Sequence, residues 1–271
     1  MWLLLGRSFL KIATSSGKTE RRMYRETRTQ RKSIGAALLG KEFARFLSSP
    51  NYMLNCGLGV LLLPISGIVL LVKGRDLMPM LAMAFDNQPG SAAVLLCTAV
   101  CVVASLNDMA APSISLEGKN LWLLQSLPVK PWQALRAKLS VQLLLTSIPA
   151  LFASACAAIA GGLSAVEALL TLLVPQAVIL MMALLNLTVG LKMPNLTWTS
   201  EIVPIKQSAS VMIGLLGGMI YGILPIAGFL MFGHRMGANA YMACFMALTL
   251  AISAGLYVWL KKKGGAAFAA L

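Results

Sequence analysis

Apolar residues along this chain gather into runs of about 20, with most polar residues confined between them, the length a helix needs to cross roughly 30 Å of hydrocarbon. Six runs predict spans, at residues 53–72, 91–110, 139–160, 168–191, 208–232 and 240–260. The pattern therefore predicts an all-α, polytopic integral membrane protein with a six-helix transmembrane domain over residues 51–263 and a short tail at 264–271. Ahead of the first run, residues 33–50 keep helical spacing, with Leu39, Phe43, Phe46 and Leu47 on one face and Lys41, Glu42 and Arg45 on the other. Such a helix belongs in the inner membrane interface, and Ser48, Ser49 and Pro50 end it. Between the first two spans, residues 76–86 enclose Leu77, Met78, Met80, Leu81, Met83 and Phe85, predicting a short helix on the outer surface.

Composition agrees with this pattern. Hydrophobic residues make up 58% of the 271 and charged residues 12%, with a mean hydropathy of +0.78, which excludes an ordinary soluble enzyme. The net charge of +14 would point to nucleic acid in a soluble protein. Here 20 of the 23 Lys and Arg fall before the first span, in residues 112–138 and 192–207, and after the last span. Cytoplasmic segments of membrane proteins are enriched in these residues, so both termini are expected inside and no nucleic-acid partner is implied. Residues 1–32 are expected to be a basic cytoplasmic segment: eight of its basic positions follow Leu10, opposed by Glu20 and Glu26. The first ten residues are apolar apart from Arg7 and lack the basic start and small-residue cleavage site of a signal peptide. They read either as an interfacial segment or as the end of an upstream span.

Candidate chemistry is sparse. Gly17, Lys18 and Thr19 match the end of a phosphate-binding loop, but the glycine required five positions earlier is Ile12, so no ATP site is expected on this chain. His234 is the one histidine, and Cys56, Cys97, Cys101, Cys156 and Cys244 all fall within spans without the neighbours of a metal site; they read as packing residues. No catalytic, cofactor-binding or metal-binding residue is expected. Intramembrane acids are limited to Asp108 and Glu167, near span ends, which argues against an ion-coupled carrier. The spans carry Pro64, Pro149, Pro175 and Pro225, and Gly214, Gly218 and Gly222 recur every four residues, a spacing for close packing within the bundle or at a dimer interface. Gln176 and Asn186 are the candidate polar lining of a pathway, with interhelical hydrogen bonding the alternative.

The two inner loops say more. In residues 112–138, Leu116, Asn120, Leu123, Leu124 and Leu127 share a helical face, with Glu117, Lys119 and Trp122 displayed beside it. Two readings stand: a docking surface for a cytoplasmic partner, or an interfacial helix with a Trp anchor. Four stretches add a resemblance: Lys41-Glu42-Phe43 with residues 49–55; residues 113–128, centred on Glu117-Gly118-Lys119 and Ser126-Leu127-Pro128; Ala137-Lys138-Leu139; and residues 194–201 with Ile205-Lys206-Gln207-Ser208. In this order and placement the chain resembles the permease subunits of ATP-binding-cassette exporters of the type-2 class, particularly the C-terminal six-span half of large bacterial permeases.

The resemblance implies a multi-pass plasma-membrane permease that forms the substrate pathway and couples to a separate ATPase. That partner would bind the ATP, and this chain would not be an enzyme. Residues 33–50 would be the connecting helix and residues 112–138 the coupling loop, with Glu117, Gly118, Lys119 and Trp122 against the ATPase. Trp198, Glu201 and Lys206 would add a second contact from residues 192–207. Membrane lipids and either a second permease copy or an upstream six-span half complete the expected partners. Residues 233–239 are too few for the re-entrant helices many type-2 exporters place between spans five and six. The alternatives are a truncated or regulatory subunit that docks an ATPase without transporting, and a secondary transporter.

Overall fold

A computed structural model describes residues 32–84 and 89–271. The expected basic segment and the incomplete phosphate-loop motif lie outside the described residues. Helix α1 (Ile34–Ser48) begins at Ser33, whose hydroxyl accepts from the Ala36 amide at 3.3 Å. Ser49 caps α2 (Pro50–Cys56), and Pro50 occupies its first turn, where the missing N–H costs nothing. At Gly57 the chain bends by 53° into α3 (Leu58–Ala84). A side chain at Gly57 would meet the Phe46 ring and the Met53 carbonyl, so the bend depends on glycine. The surface helix expected at 76–86 is not separate, since α3 continues unbroken to Ala84.

After α4 (Ser91–Ala104) the backbone leaves helical form until a 3-10 turn at Ser115–Asn120, which runs into α5 (Leu121–Ser126). Three long helices follow: α6 (Pro131–Ala160), α7 (Ala165–Lys192) and α8 (Ala209–Met236). Ser164 and Glu167 form a reciprocal cap at the start of α7, which gives one of the two intramembrane acids a structural role. Helix α9 (Ala238–Trp259) continues through a π-type turn at Leu260–Gly264 into α10 (Gly265–Ala269). The tail expected at 264–271 is thus packed structure. Phe268 is buried, and the Gln125 side chain donates to its carbonyl at 2.9 Å.

Within Ser33–Leu271, α3 lies along α6, α6 along α7, α7 along α9, and α4 against α7 and α8. Two apolar cores mark the ends of this bundle. One joins Leu38, Leu121, Leu124, Leu135, Leu187, Leu191 and Leu260 beneath α1 and the long loop; the other joins Val94, Cys97, Val174, Phe229, Tyr241 and Met242. Lys192 lies 4.9 Å over the Trp259 ring and Trp132 packs edge-on to Tyr257, an aromatic and basic belt at the α1 end. Outward positions such as Leu61, Ile148, Ile159, Ile220 and Leu248 are apolar and exposed, as lipid-facing residues must be.

Among the described residues, four helices are long and apolar enough to cross a membrane, and the bent pair Pro50–Cys56 and Leu58–Gly74 makes a fifth when taken as one span. The second expected span is the exception. Helix α4 has 14 residues, about 21 Å, because Ser105, Asn107 and Asp108 turn the chain: the Ser105 hydroxyl donates back to the Val102 carbonyl at 2.7 Å, and the Asp108 amide donates to the Cys56 carbonyl at 3.2 Å. Hydropathy averages across such a break.

Candidate functional site

The chain has few charges, and five of them meet at one place. Lys138, on the first turns of α6, has a side chain with no exposed surface. Its ammonium group donates to Glu117 at 2.6 Å, to Glu42 at 2.9 Å and to the Ser113 carbonyl at 3.0 Å. All three of its protons are therefore used. Arg45 donates to Glu117 at 2.6 Å and lies 3.5 Å from Glu42, and Lys41 reaches both Glu117 oxygens at 3.1 and 3.2 Å. The cluster ties α1, the loop after α4 and α6 together.

Electrostatics follow from this geometry. Burial alone would raise the Glu117 pKa, but the charges of Lys138 and Arg45 and their hydrogen bonds hold it well below the usual carboxylate range. Burial works against the Arg45 cation too, yet the Glu117 hydrogen bond and the nearby carboxylates raise its pKa above the ordinary value. Three basic side chains meet two acidic ones, a formal excess of one positive charge, and Lys41 is the exposed member at the rim.

Gly118 has φ +53°, a backbone conformation that favours glycine. The Trp198 ring covers it: a Cβ at Gly118 would sit 3.2 Å from the indole. Trp198 donates its ring N–H to the Ser115 carbonyl at 2.6 Å, the Asn195 amide donates to the Ser115 hydroxyl at 3.0 Å, and Ser49 donates to Glu201 at 3.1 Å. The loop between α7 and α8 is thus seated on the loop after α4 and on the α1–α2 junction. Lys206 is exposed.

These positions correct several expectations. Glu117 points into the cluster and is 4% exposed, so it is not displayed beside Lys119 and Trp122. Lys119 is exposed, Trp122 is 64% exposed, and Leu123 and Leu127 are exposed next to it. The expected face of Leu116, Asn120, Leu123, Leu124 and Leu127 does not persist, because Gly118 breaks the helix and resets the period; Leu121 and Leu124 are the buried pair. On α1, Glu42 is buried and Leu47 exposed, the reverse of the apolar-in pattern, because Glu42 serves Lys138. Sequence reasoning missed Lys138 as a functional residue; the signal available was a lysine at the head of a span facing an acid-bearing amphipathic helix.

Gly214 and Gly218 face Asn186, Met182 and Ser105, and Gly222 faces the Cys101–Val102 backbone, so all three serve packing inside this chain. Asn186 is buried with its side-chain oxygen unpaired, while half-buried Gln176 reaches the Ser147 carbonyl at 3.5 Å. The structure does not bring these two together as one lining. Among the described residues no cluster of His, Cys, Asp or Glu has the makings of a metal site.

Long apolar helices, lipid-compatible outer faces and no strand among the described residues define a polytopic α-helical membrane protein. Residues 1–258 match the model of a family described as a membrane protein of 12 TMs, and the chain belongs to that family. No curated protein and no solved structure matches the chain.

Proposed function

We propose that this chain is the transmembrane permease subunit of a type-2 ABC exporter in the plasma membrane, driven by a separate cytoplasmic ATPase and completed by a second six-span half. The observation that carries the proposal is the way the exposed Lys119–Trp122–Leu123–Leu127 surface is mounted. The residues just before it are locked by Glu117 to Lys138 on α6 and to Lys41 and Arg45 on α1. A surface so anchored moves as one body with α1 and α6, which is what converting closure of a nucleotide-binding dimer into helix rotation demands. ATP binds to the partner in this scheme, and this chain does no chemistry itself.

The test is affinity recovery of the chain from its native membrane in mild detergent, with identification of co-purifying proteins and assay of ATPase activity. Trp122→Ala should leave folding intact and cut ATPase recovery by at least about tenfold, the loss of an exposed aromatic that docking would bury. Unchanged recovery with Trp122→Ala, or no ATPase with the native chain, overturns the proposal. A cation-coupled carrier is the second reading, favoured by the buried, unpaired carboxylate of Asp108.

A further inference from the structure

The break after α4 lies inside the bundle, with every residue from 107 to 115 buried. Irregular backbone at such a place is tolerated where protein surrounds it and satisfies its polar groups. Much of that satisfaction is visible. Gln142 accepts from the Ala110 amide at 2.9 Å and donates to the Asn107 carbonyl at 2.8 Å, and the Tyr52 hydroxyl donates to the Met109 carbonyl at 2.6 Å.

Two adjacent side chains are left out of it. Asn107 and Asp108 are each 1% exposed, and among the described residues neither atom of the amide end nor either carboxylate oxygen has a nitrogen or oxygen partner; against Asp108 lies only the Cys56 thiol, a weak donor. No Lys or Arg among the described residues forms an ion pair with Asp108, since Lys41, Arg45 and Lys138 all serve Glu42 and Glu117. Both side chains meet the same bend in the first span. Asp108 lies beside the Cys56 thiol, and a Cβ at Gly59 would fall within 3 Å of the Asn107 amide and 2.6 Å from the Val103 carbonyl. Oxygen-bearing side chains and the Val103 carbonyl therefore line the same bend, Asp108 beside Cys56 and Asn107 with Val103 beside Gly59, where a broken span crosses a bent one, and such donors coordinate small cations within membranes.

We infer that the break after α4 is a binding site for one alkali-metal ion, ligated by the Asp108 carboxylate, the Asn107 side-chain oxygen and backbone carbonyls of the helix end. Charge selects the class. One carboxylate neutralises one monovalent cation, whereas a divalent ion would leave a net charge in a dry interior. The all-oxygen donors suit a hard ion, not a soft transition metal. The inference stands apart from the exporter reading, because an ion can bind here whether or not an ATPase docks.

Thermal unfolding of the purified chain in lithium, sodium, potassium and choline chloride, at matched ionic strength and at mildly acidic and mildly alkaline pH, tests it. One alkali ion should raise the melting temperature over choline by a few degrees, roughly the effect of a saturating ligand, and Asp108→Asn should abolish that difference. Comparing salts within each variant separates ion binding from any loss of basal stability. Should Asp108→Asn fail to accumulate, Asn107→Asp carries the test: its second carboxylate should turn the preference from the alkali ion to calcium. Identical curves in all four salts, or a shift that follows pH irrespective of the cation and so marks a proton site, overturn the inference. An unaltered salt response in Asn107→Asp does the same.

Discussion

Lys138 shows how one side chain can hold three segments. It is the sole partner of neither carboxylate, but it is the one member with no exposed side-chain surface, and both acids bend their helices' polarity to reach it. Lys138→Met should destabilise the protein by about 3–5 kcal/mol, because it removes the hydrogen bond that holds buried Glu42 and one of the two shortest to buried Glu117; adding Glu117→Gln should return part of that loss. Denaturant unfolding in detergent measures both, and a cost below about 1 kcal/mol for the single substitution would contradict the cluster's role. At this scale the sequence was legible in residue type more than in direction. Glu117, Gly118, Lys119 and Trp122 stand out from composition, yet only Lys119 and Trp122 face outward, since Glu117 answers to cations 76 and 21 residues away. Periodicity within one helix holds no information about such distant partners.

Among the elements, the long helices α6 to α9 follow directly from apolar runs, because a lipid environment forces their backbones to satisfy themselves. The break after α4 was not legible, since Met109, Ala110 and Ala111 keep the hydropathy high beyond the point where the helix ends. Its accommodation explains a set of glycines. A Cβ at Gly190 would collide with the Ala111 carbonyl, and those at Gly214 and Gly218 would press on Asn186, Met182 and Ser105. Gly217, one position before Gly218, meets nothing within 4 Å. Gly190→Ala should therefore destabilise by about 1–3 kcal/mol, whereas Gly217→Ala should be neutral or stabilising by up to about 1 kcal/mol. Melting temperatures of the two variants decide this, and equal effects would refute the packing account.

For the whole molecule, the all-α membrane class was readable from hydropathy alone, and family membership agrees with it. The asymmetry of Lys and Arg predicts that Lys119 lies inside and Gly162 outside. In a Cys244→Ser background, which removes the one exposed native thiol among the described residues, Lys119→Cys should react with an impermeant maleimide only after the inner face is opened. Gly162→Cys should react in intact cells, and the opposite pattern would invert the topology. The short α4 also bears on synthesis. A 14-residue apolar helix followed by Asn107 and Asp108 is a poor substrate for one-at-a-time insertion, because the Asn107 carbonyl and Ala110 amide lack their side-chain partner when they leave the ribosome. Gln142 arrives on α6, and the glycines that make room for the break arrive on α7 and α8. This segment must therefore wait for helices made after it, so the order in which the chain emerges from the ribosome differs from the order in which its spans become stable in the bilayer.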